Sequence, residues 1–330
     1  MKRKNNMRWW MIVLLVLLVL VLVVWIITAN STFLQKAFIR ALCSGNAGVK
    51  PKDYDAVLTK IDKLATDVSY QSAFENGTLD IYAAKGESAL PLIVYAHGGY
   101  YIGDDKADFG YYCQMLASRG YTVANINYQL APEAKYPTQM LQVNEAIRFL
   151  TAHAEEYRID QTKIFIGGDS AGGHLSSQMG LYFTNPEFQV RIGGEPAIAK
   201  EQLKGVILHC GYYNIDTLRA TRFPMIADSV WMMTGEKHYE GTEAGKSMNT
   251  VAWVTADYPA TFIDCGDKDS FITQAQEMIA ALTAQGVEVV SFLPTTTGFP
   301  LMHEFQVRLN MTEAQEALEK LAGFLGERSK

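Results

Sequence analysis

The chain has 330 residues, of which 48 % are hydrophobic and 19 % charged. That composition supports a sizeable core and excludes a disordered polymer. The formal net charge is −6 and no long Lys/Arg run occurs beyond the N-terminus, so nucleic acid is not an expected partner.

Trp9 to Ile27 is an unbroken apolar run. As a helix it rises about 28 Å, close to the hydrocarbon thickness of a bilayer. Trp9, Trp10 and Trp25 sit at its ends, where amphipathic rings favour the interface, and Lys2, Arg3, Lys4 and Arg8 precede it. This crowding of positive charge on the short side predicts a cytoplasmic tail and an outward-facing remainder. The run is longer than the apolar stretch of a secretory signal, and Thr28 to Ser31 offers only a weak cleavage site. Residues 1–30 are therefore expected to form an uncleaved membrane anchor.

In residues 31–65 helical spacing aligns Phe33, Leu34, Phe38, Ala41 and Leu42, then Val57, Leu58, Ile61 and Leu64 after Lys50-Pro51. The period then changes to two. Val68–Phe74 and Thr78–Ala83 flank the turn signal Asn76-Gly77, predicting a hairpin. Expected strands follow at Leu92–Ala96, Tyr121–Tyr128, Lys163–Ile166, Val206–Cys210, Thr261–Cys265 and Val287–Leu293. Helical patterns lie between them, as at Met140-Val143-Ile147-Leu150 and Ala275-Met278-Ile279-Leu282, and end the chain at Ala314 to Leu325. Alternating strands and helices after a hairpin predict a mostly parallel sheet with an antiparallel edge. A long connection from Asn214 to Asp257, holding Phe223, Met225, Ile226, Trp231, Met232, Met233 and Trp253, interrupts the rhythm and suggests a functional insertion. Its aromatic residues either line a pocket or pack on one another. Cys43, Cys113, Cys210 and Cys265 include no C-x-x-C pair, which argues against zinc and for buried free thiols.

The chemistry centres on Gly168-Asp169-Ser170-Ala171-Gly172, between a strand and a helix. A serine hydroxyl needs a base to become a useful nucleophile. A sharp strand-to-helix turn exposes it, and the flanking glycines Gly168 and Gly172 relieve the crowding. The same turn aims the Ala171 N–H at a developing oxyanion. Alone the motif is weak, but context supports it. His97-Gly98-Gly99-Tyr100 follows an apolar strand, and its glycines permit close backbone approach to a substrate. His97 is expected to be a hydrogen-bonded, orienting residue and not the base. Further along, Gly266-Asp267-Lys268-Asp269 and Met302-His303-Glu304 both follow strands, in the Ser…Asp…His order of an α/β-hydrolase. His303 is the expected base, held by an aspartate. His153, His174, His209 and His238 sit at no comparable loop. Asp264, inside a strand, is expected to be committed to the sheet.

These stretches resemble the hormone-sensitive-lipase-like carboxylesterases. The resemblance rests on His97-Gly98-Gly99, Tyr128-Gln129-Leu130-Ala131-Pro132-Glu133 with Tyr136-Pro137, Gly168 to Gly173, and Gly266 to Asp269. It implies an α/β-hydrolase fold with an eight-stranded sheet, helices on both faces and a small helical cap built from residues 31–65 and 214–257. It further implies a triad of Ser170, Asp269 and His303 and an oxyanion hole from the N–H groups of Gly98, Gly99 and Ala171. Asp267, beside that acid, is expected to brace the loop by accepting backbone N–H bonds. Tyr100 stands where the family has a third glycine, and the chain has Asp269-Ser270-Phe271 and His303-Glu304-Phe305 where Asp-Pro-Leu and His-Gly-Phe are usual. A carboxylate beside the base is expected to raise its pKa. The implied activity is hydrolysis of short- to medium-chain carboxylic esters, small molecules, without metal or cofactor. Deacetylation of a cell-surface glycan, peptidase activity and a catalytically silent binding role are the competing readings.

Overall fold

The computed structural model describes residues 2–43, 48–86, 88–295 and 299–330. Within the expected cap segment, residues 44–47 lie outside the described residues. One sheet runs in the order β1-β2-β4-β3-β5-β6-β7-β8. Its strands are β1 (Ile61–Ser69), β2 (Thr78–Ala84), β3 (Leu90–Ala96), β4 (Thr122–Ile126), β5 (Ile159–Asp169), β6 (Leu203–His209), β7 (Thr261–Asp264) and β8 (Val289–Phe292). β2 is antiparallel to both β1 and β4, and the remaining pairs are parallel. The helices are α1 (Lys2–Asn30), α2 (Phe33–Cys43), α3 (Tyr54–Leu58), α4 (Lys106–Ala117), α5 (Thr138–Ala152), α6 (Ala171–Thr184), α7 (Pro186–Ile192), α8 (Ile226–Thr234), α9 (Glu243–Met248), α10 (Ile272–Ala284) and α11 (Thr312–Arg328).

The continuous apolar runs follow from helices covering both sides of the sheet. In β3, Leu92, Val94 and Ala96 pack toward Met140 and Ile147 of α5, Leu175 of α6 and Met278 of α10. Ile93 and Tyr95 point the other way, toward Phe109 and Leu116 of α4 and Leu321 of α11. A strand with no solvated face has no polar alternation to display.

The expected bounds of the first strand are wrong at both ends. β1 begins at Ile61, so Ile61 and Leu64 are not helical, while residues 70–77 form the connection to β2 instead of continuing a strand. Register shifts between Lys63 and Ala65 and again between Ala65 and Val68 break the two-residue alternation of β1. Such bulges move side chains between faces and imitate a helical stripe.

In α1, Arg8–Thr28 is long and apolar enough to cross a membrane or to act as a signal sequence, and none of that stretch is buried against the domain. Its 21 residues rise about 31 Å. The insertion between β6 and β7 folds as short helical turns around α8 and α9. Ile226, Val230, Met232 and Met233 of this insertion are buried in the core. Trp231 and Trp253 instead pair with Lys237 and with Phe188 and Arg191, respectively.

Candidate active site

Ser170 stands between β5 and α6 with φ 50° and ψ −113°. This is a sparsely populated conformation for a residue with a side chain, and it persists because the neighbours fix it. Gly168 pairs with Ala96 across the sheet. A Cβ on Gly172 would collide with the Ala96 carbonyl oxygen, so α6 can start this close to β3 only with glycine there. Gly98 packs from the other side, where an added Cβ would collide with Asp169 Oδ2 and lie 3.2 Å from Ser170 Cβ. The Gly98-Gly99 backbone is therefore held against the serine. Among the described residues, the backbone N–H groups of Gly98, Gly99 and Ala171 donate to no other backbone carbonyl outside their own helix.

The loops after β7 and β8 bring two more groups to Ser170. His303 Nε2 lies 2.9 Å from Ser170 Oγ, and His303 Nδ1 lies 2.8 Å from Asp269 Oδ2. The other carboxylate oxygen of Asp269 accepts from Phe271 N at 2.8 Å. Asp267 accepts from Leu301 N at 3.0 Å, joining the two loops. Asp264 stays in the sheet, where both of its oxygens lie 2.9 Å from His209 Nδ1, while Tyr112 Oη lies 3.0 Å from His209 Nε2. His97 is fully buried, stacks on Tyr128 at 4.5 Å, and has Nδ1 3.0 Å from the Gly98 carbonyl oxygen. Burial pushes its pKa down to about 4.

Electrostatics separate these groups. Burial opposes charging His303, but Asp269 and then Glu304 outweigh it, and the pKa rises above the ordinary histidine value. Glu304 Oε1 is 3.8 Å from His303 Nε2. Burial, with Glu304 and Asp108, raises Asp104 to about 7. Burial above all drives Asp169 well above the carboxylate range. Tyr95 donates to one of its oxygens at 2.9 Å, and the other has no partner among the described residues.

The site is narrow. Ser170 is only 7 % exposed. Tyr100 and Tyr101 both have positive φ, 61° and 63°, a conformation that explains why glycine suits this position in the resemblance. Ser229 of α8 donates to the Tyr100 carbonyl, and the Tyr100 ring lies 5.5 Å from that of Phe223. Phe223 itself lies 4.7 Å from the His303 ring and stacks on Phe271 at 4.3 Å. Of the insertion's aromatic residues, Phe223 is therefore the one over the histidine. Sequence spacing alone did not distinguish it from Trp231 or Trp253.

Cys210, Asp269 and His303 are the one group among the described residues whose ligand atoms approach within 4.8 Å of one another. Burial raises the Cys210 thiol pKa well above its usual range, and a metal needs the thiolate. Both ring nitrogens of His303 already face Asp269 and Ser170. The donor set does not fit a metal. All four cysteines are buried and free.

A mostly parallel sheet with helices on both faces and a serine on a strained strand-to-helix turn defines an α/β-hydrolase. The BD-FAE family model matches residues 79–282, and the chain belongs to that family, within the hormone-sensitive-lipase-like α/β-hydrolases. It is similar to esterase LipC of Mycobacterium tuberculosis, with 25 % identity over 221 residues that cover 65 % of this chain and 54 % of LipC. An acetyl esterase of Salmonella schwarzengrund is 26 % identical over 264 residues, 77 % of each chain. The chain thus spans about half the length of its mycobacterial relatives. The inhibited esterase B of Lactobacillus rhamnosis superposes with a TM-score of 0.73 at 24 % identity, covering 94 % of this chain and 96 % of that one, a likeness of fold.

Proposed function

We propose that the protein is a membrane-anchored serine carboxylesterase acting on short- to medium-chain esters. The observation that carries this reading is the unbroken line from Ser170 through His303 to Asp269, with steps of 2.9 and 2.8 Å. Ser170 Oγ attacks the ester carbonyl carbon while His303 Nε2 takes its proton. The N–H groups of Gly98, Gly99 and Ala171 stabilise the oxyanion. The alcohol leaves with the proton from His303, and water then cleaves the acyl-enzyme by the same route. Tyr100 and Phe223 restrict the space beside the serine, which supports small acyl groups. The curated relatives named as esterases support the reaction class. The test is a chain-length series of p-nitrophenyl esters run beside acetylated sugars and peptides, with fluorophosphonate labelling of the serine. A clear preference for acetylated sugars would move the assignment to glycan deacetylation. An unlabelled protein would make it a binding protein.

The raised His303 pKa predicts a pH profile. The base works only when neutral, so kcat/KM should fall with decreasing pH through a midpoint above the ordinary histidine value. Glu304→Gln removes a negative charge that favours the imidazolium, and its acid limb should shift to lower pH. Rates between about pH 5 and 9 measure this, and an unmoved limb would show that Glu304 has no hold on the base.

The charges around α1 support a domain facing away from the cytoplasm. Protease added to intact cells should then degrade the domain, which should also stay with membranes through a high-salt wash. A protected domain reverses the orientation, and a shortened protein in the medium indicates cleavage.

A further inference from the structure

Helix α2 is amphipathic in the opposite sense to a water-facing surface helix. Its domain-facing positions are Lys36, Ile39, Arg40 and Cys43. Ile39 and Cys43 are buried, and Lys36 and Arg40 reach Glu133 at 3.1 and 2.7 Å. Arg40 also donates to the Ile102 carbonyl at 2.9 Å. The outward face carries Phe33, Leu34, Ala37 and Phe38, with Phe33 69 %, Leu34 54 % and Phe38 58 % exposed. A helix turned to water shows charge outward and apolar residues inward. Here the polar residues anchor the helix to the domain and the apolar ones face away.

Position in the chain says what covers that face. α1 ends at Asn30 and α2 begins at Phe33, so only Ser31 and Thr32 separate it from a segment of bilayer length. Such a link spans about 7 Å per two extended residues, which keeps the first turn of α2 at the membrane surface. The far end of α2 reaches the proposed active site. A Cβ on Gly103 would lie 2.8 Å from Cys43 Cβ, and Gly103 belongs to the loop that continues from Gly98-Gly99. The whole helix is 11 residues, about 16 Å.

We infer that α2 lies in the bilayer interface, with Phe33, Leu34 and Phe38 in the lipid, and that this seats the mouth of the Ser170 site at headgroup level. The occupant of the exposed face is a phospholipid surface, and the substrates are esters partitioned into it. The substrate part rests on the esterase and anchor readings above. The lipid contact rests on the anchor reading alone.

The test uses the full chain in phosphatidylcholine vesicles. The native cysteines are all buried, so Phe38→Cys accepts an environment-sensitive fluorophore selectively, with Glu155→Cys, exposed on the domain, as the reference. The label at position 38 should be quenched by shallow-brominated phosphatidylcholine and shielded from aqueous iodide, with the reverse at 155. Equal iodide quenching at both sites, in protein that still floats with the vesicles, overturns the inference and leaves the anchor intact. The double variant Phe33→Ser with Phe38→Ser should hydrolyse a butyrate ester of a long-chain alcohol, embedded in the vesicles, about ten-fold more slowly while keeping its rate on water-soluble p-nitrophenyl acetate. An equal loss on both esters overturns the substrate part. A wild-type chain inert toward both esters fails the esterase reading, and the quenching pattern still decides the lipid contact.

Discussion

Alanine at position 170 should abolish ester hydrolysis and fluorophosphonate labelling while leaving the protein folded. The substitution removes the atom proposed to bond to the substrate carbon and little else. Ser170 Oγ lies 2.9 Å from His303 Nε2 and braces no backbone group among the described residues. The strained φ of 50° is the same burden for alanine as for serine, so stability should change by no more than about 1 kcal/mol. Removing the nucleophile of a serine protease costs on the order of 10⁶ in kcat, and a loss of that size is expected here. Turnover of p-nitrophenyl butyrate, with circular dichroism as the folding control, checks it. Activity retained in a clean Ser170→Ala preparation would end the proposed mechanism.

Asn at position 269 should cost nearly as much, by a different route. Asp269 Oδ2 lies 2.8 Å from His303 Nδ1, which favours the ring proton on Nδ1 and leaves Nε2 free to accept. An asparagine amide turned toward Nδ1 donates instead, and the resulting tautomer cannot take the serine proton. The expected loss is about 10⁴ in kcat with little change in KM, the magnitude seen for this change in a serine protease triad. Asp267→Asn is the contrast. Its side-chain carbonyl can still accept from Leu301 N, so activity should stay within a few-fold, and Asp267→Ala should lose about 1 kcal/mol of stability. The opposite pattern, with Asp267→Asn nearly inactive and Asp269→Asn active, would transfer the acid role to Asp267.

The parts of the fold legible in the sequence are those in which one physical cause acts alone. β3 and β6 are buried on both faces, so their runs could be read directly. The turn at Ser170 is legible because close backbone approach leaves only glycine at Gly172. The bounds of β1 are not legible because its bulges mix two periodicities. Phe223 carries no distinguishing signal because it reaches His303 through the path of a long insertion, which no local spacing encodes. The outward turn of the apolar face of α2 was equally hidden. The stripe of Phe33, Leu34 and Phe38 was visible, but the side on which it lies depends on Lys36 and Arg40 finding Glu133 nearly a hundred residues away.

The His209–Asp264 couple has a practical consequence for mutant screens. It is set by strand register, His209 of β6 opposite Asp264 of β7, and its spacing of 2.9 Å nearly equals that of the pair beside Ser170. Both residues are sealed, 1 % and 0 % exposed. His209→Ala would leave the buried Asp264 side chain without its partner, a defect that typically costs about 1–3 kcal/mol, and the protein lost with it would score as lost activity. A screen scored by product formation alone would therefore count two essential histidines and two essential aspartates. Normalising each variant to its folded yield separates them: His303→Ala should accumulate as intact, inert protein, whereas His209→Ala should be depleted before it can be assayed.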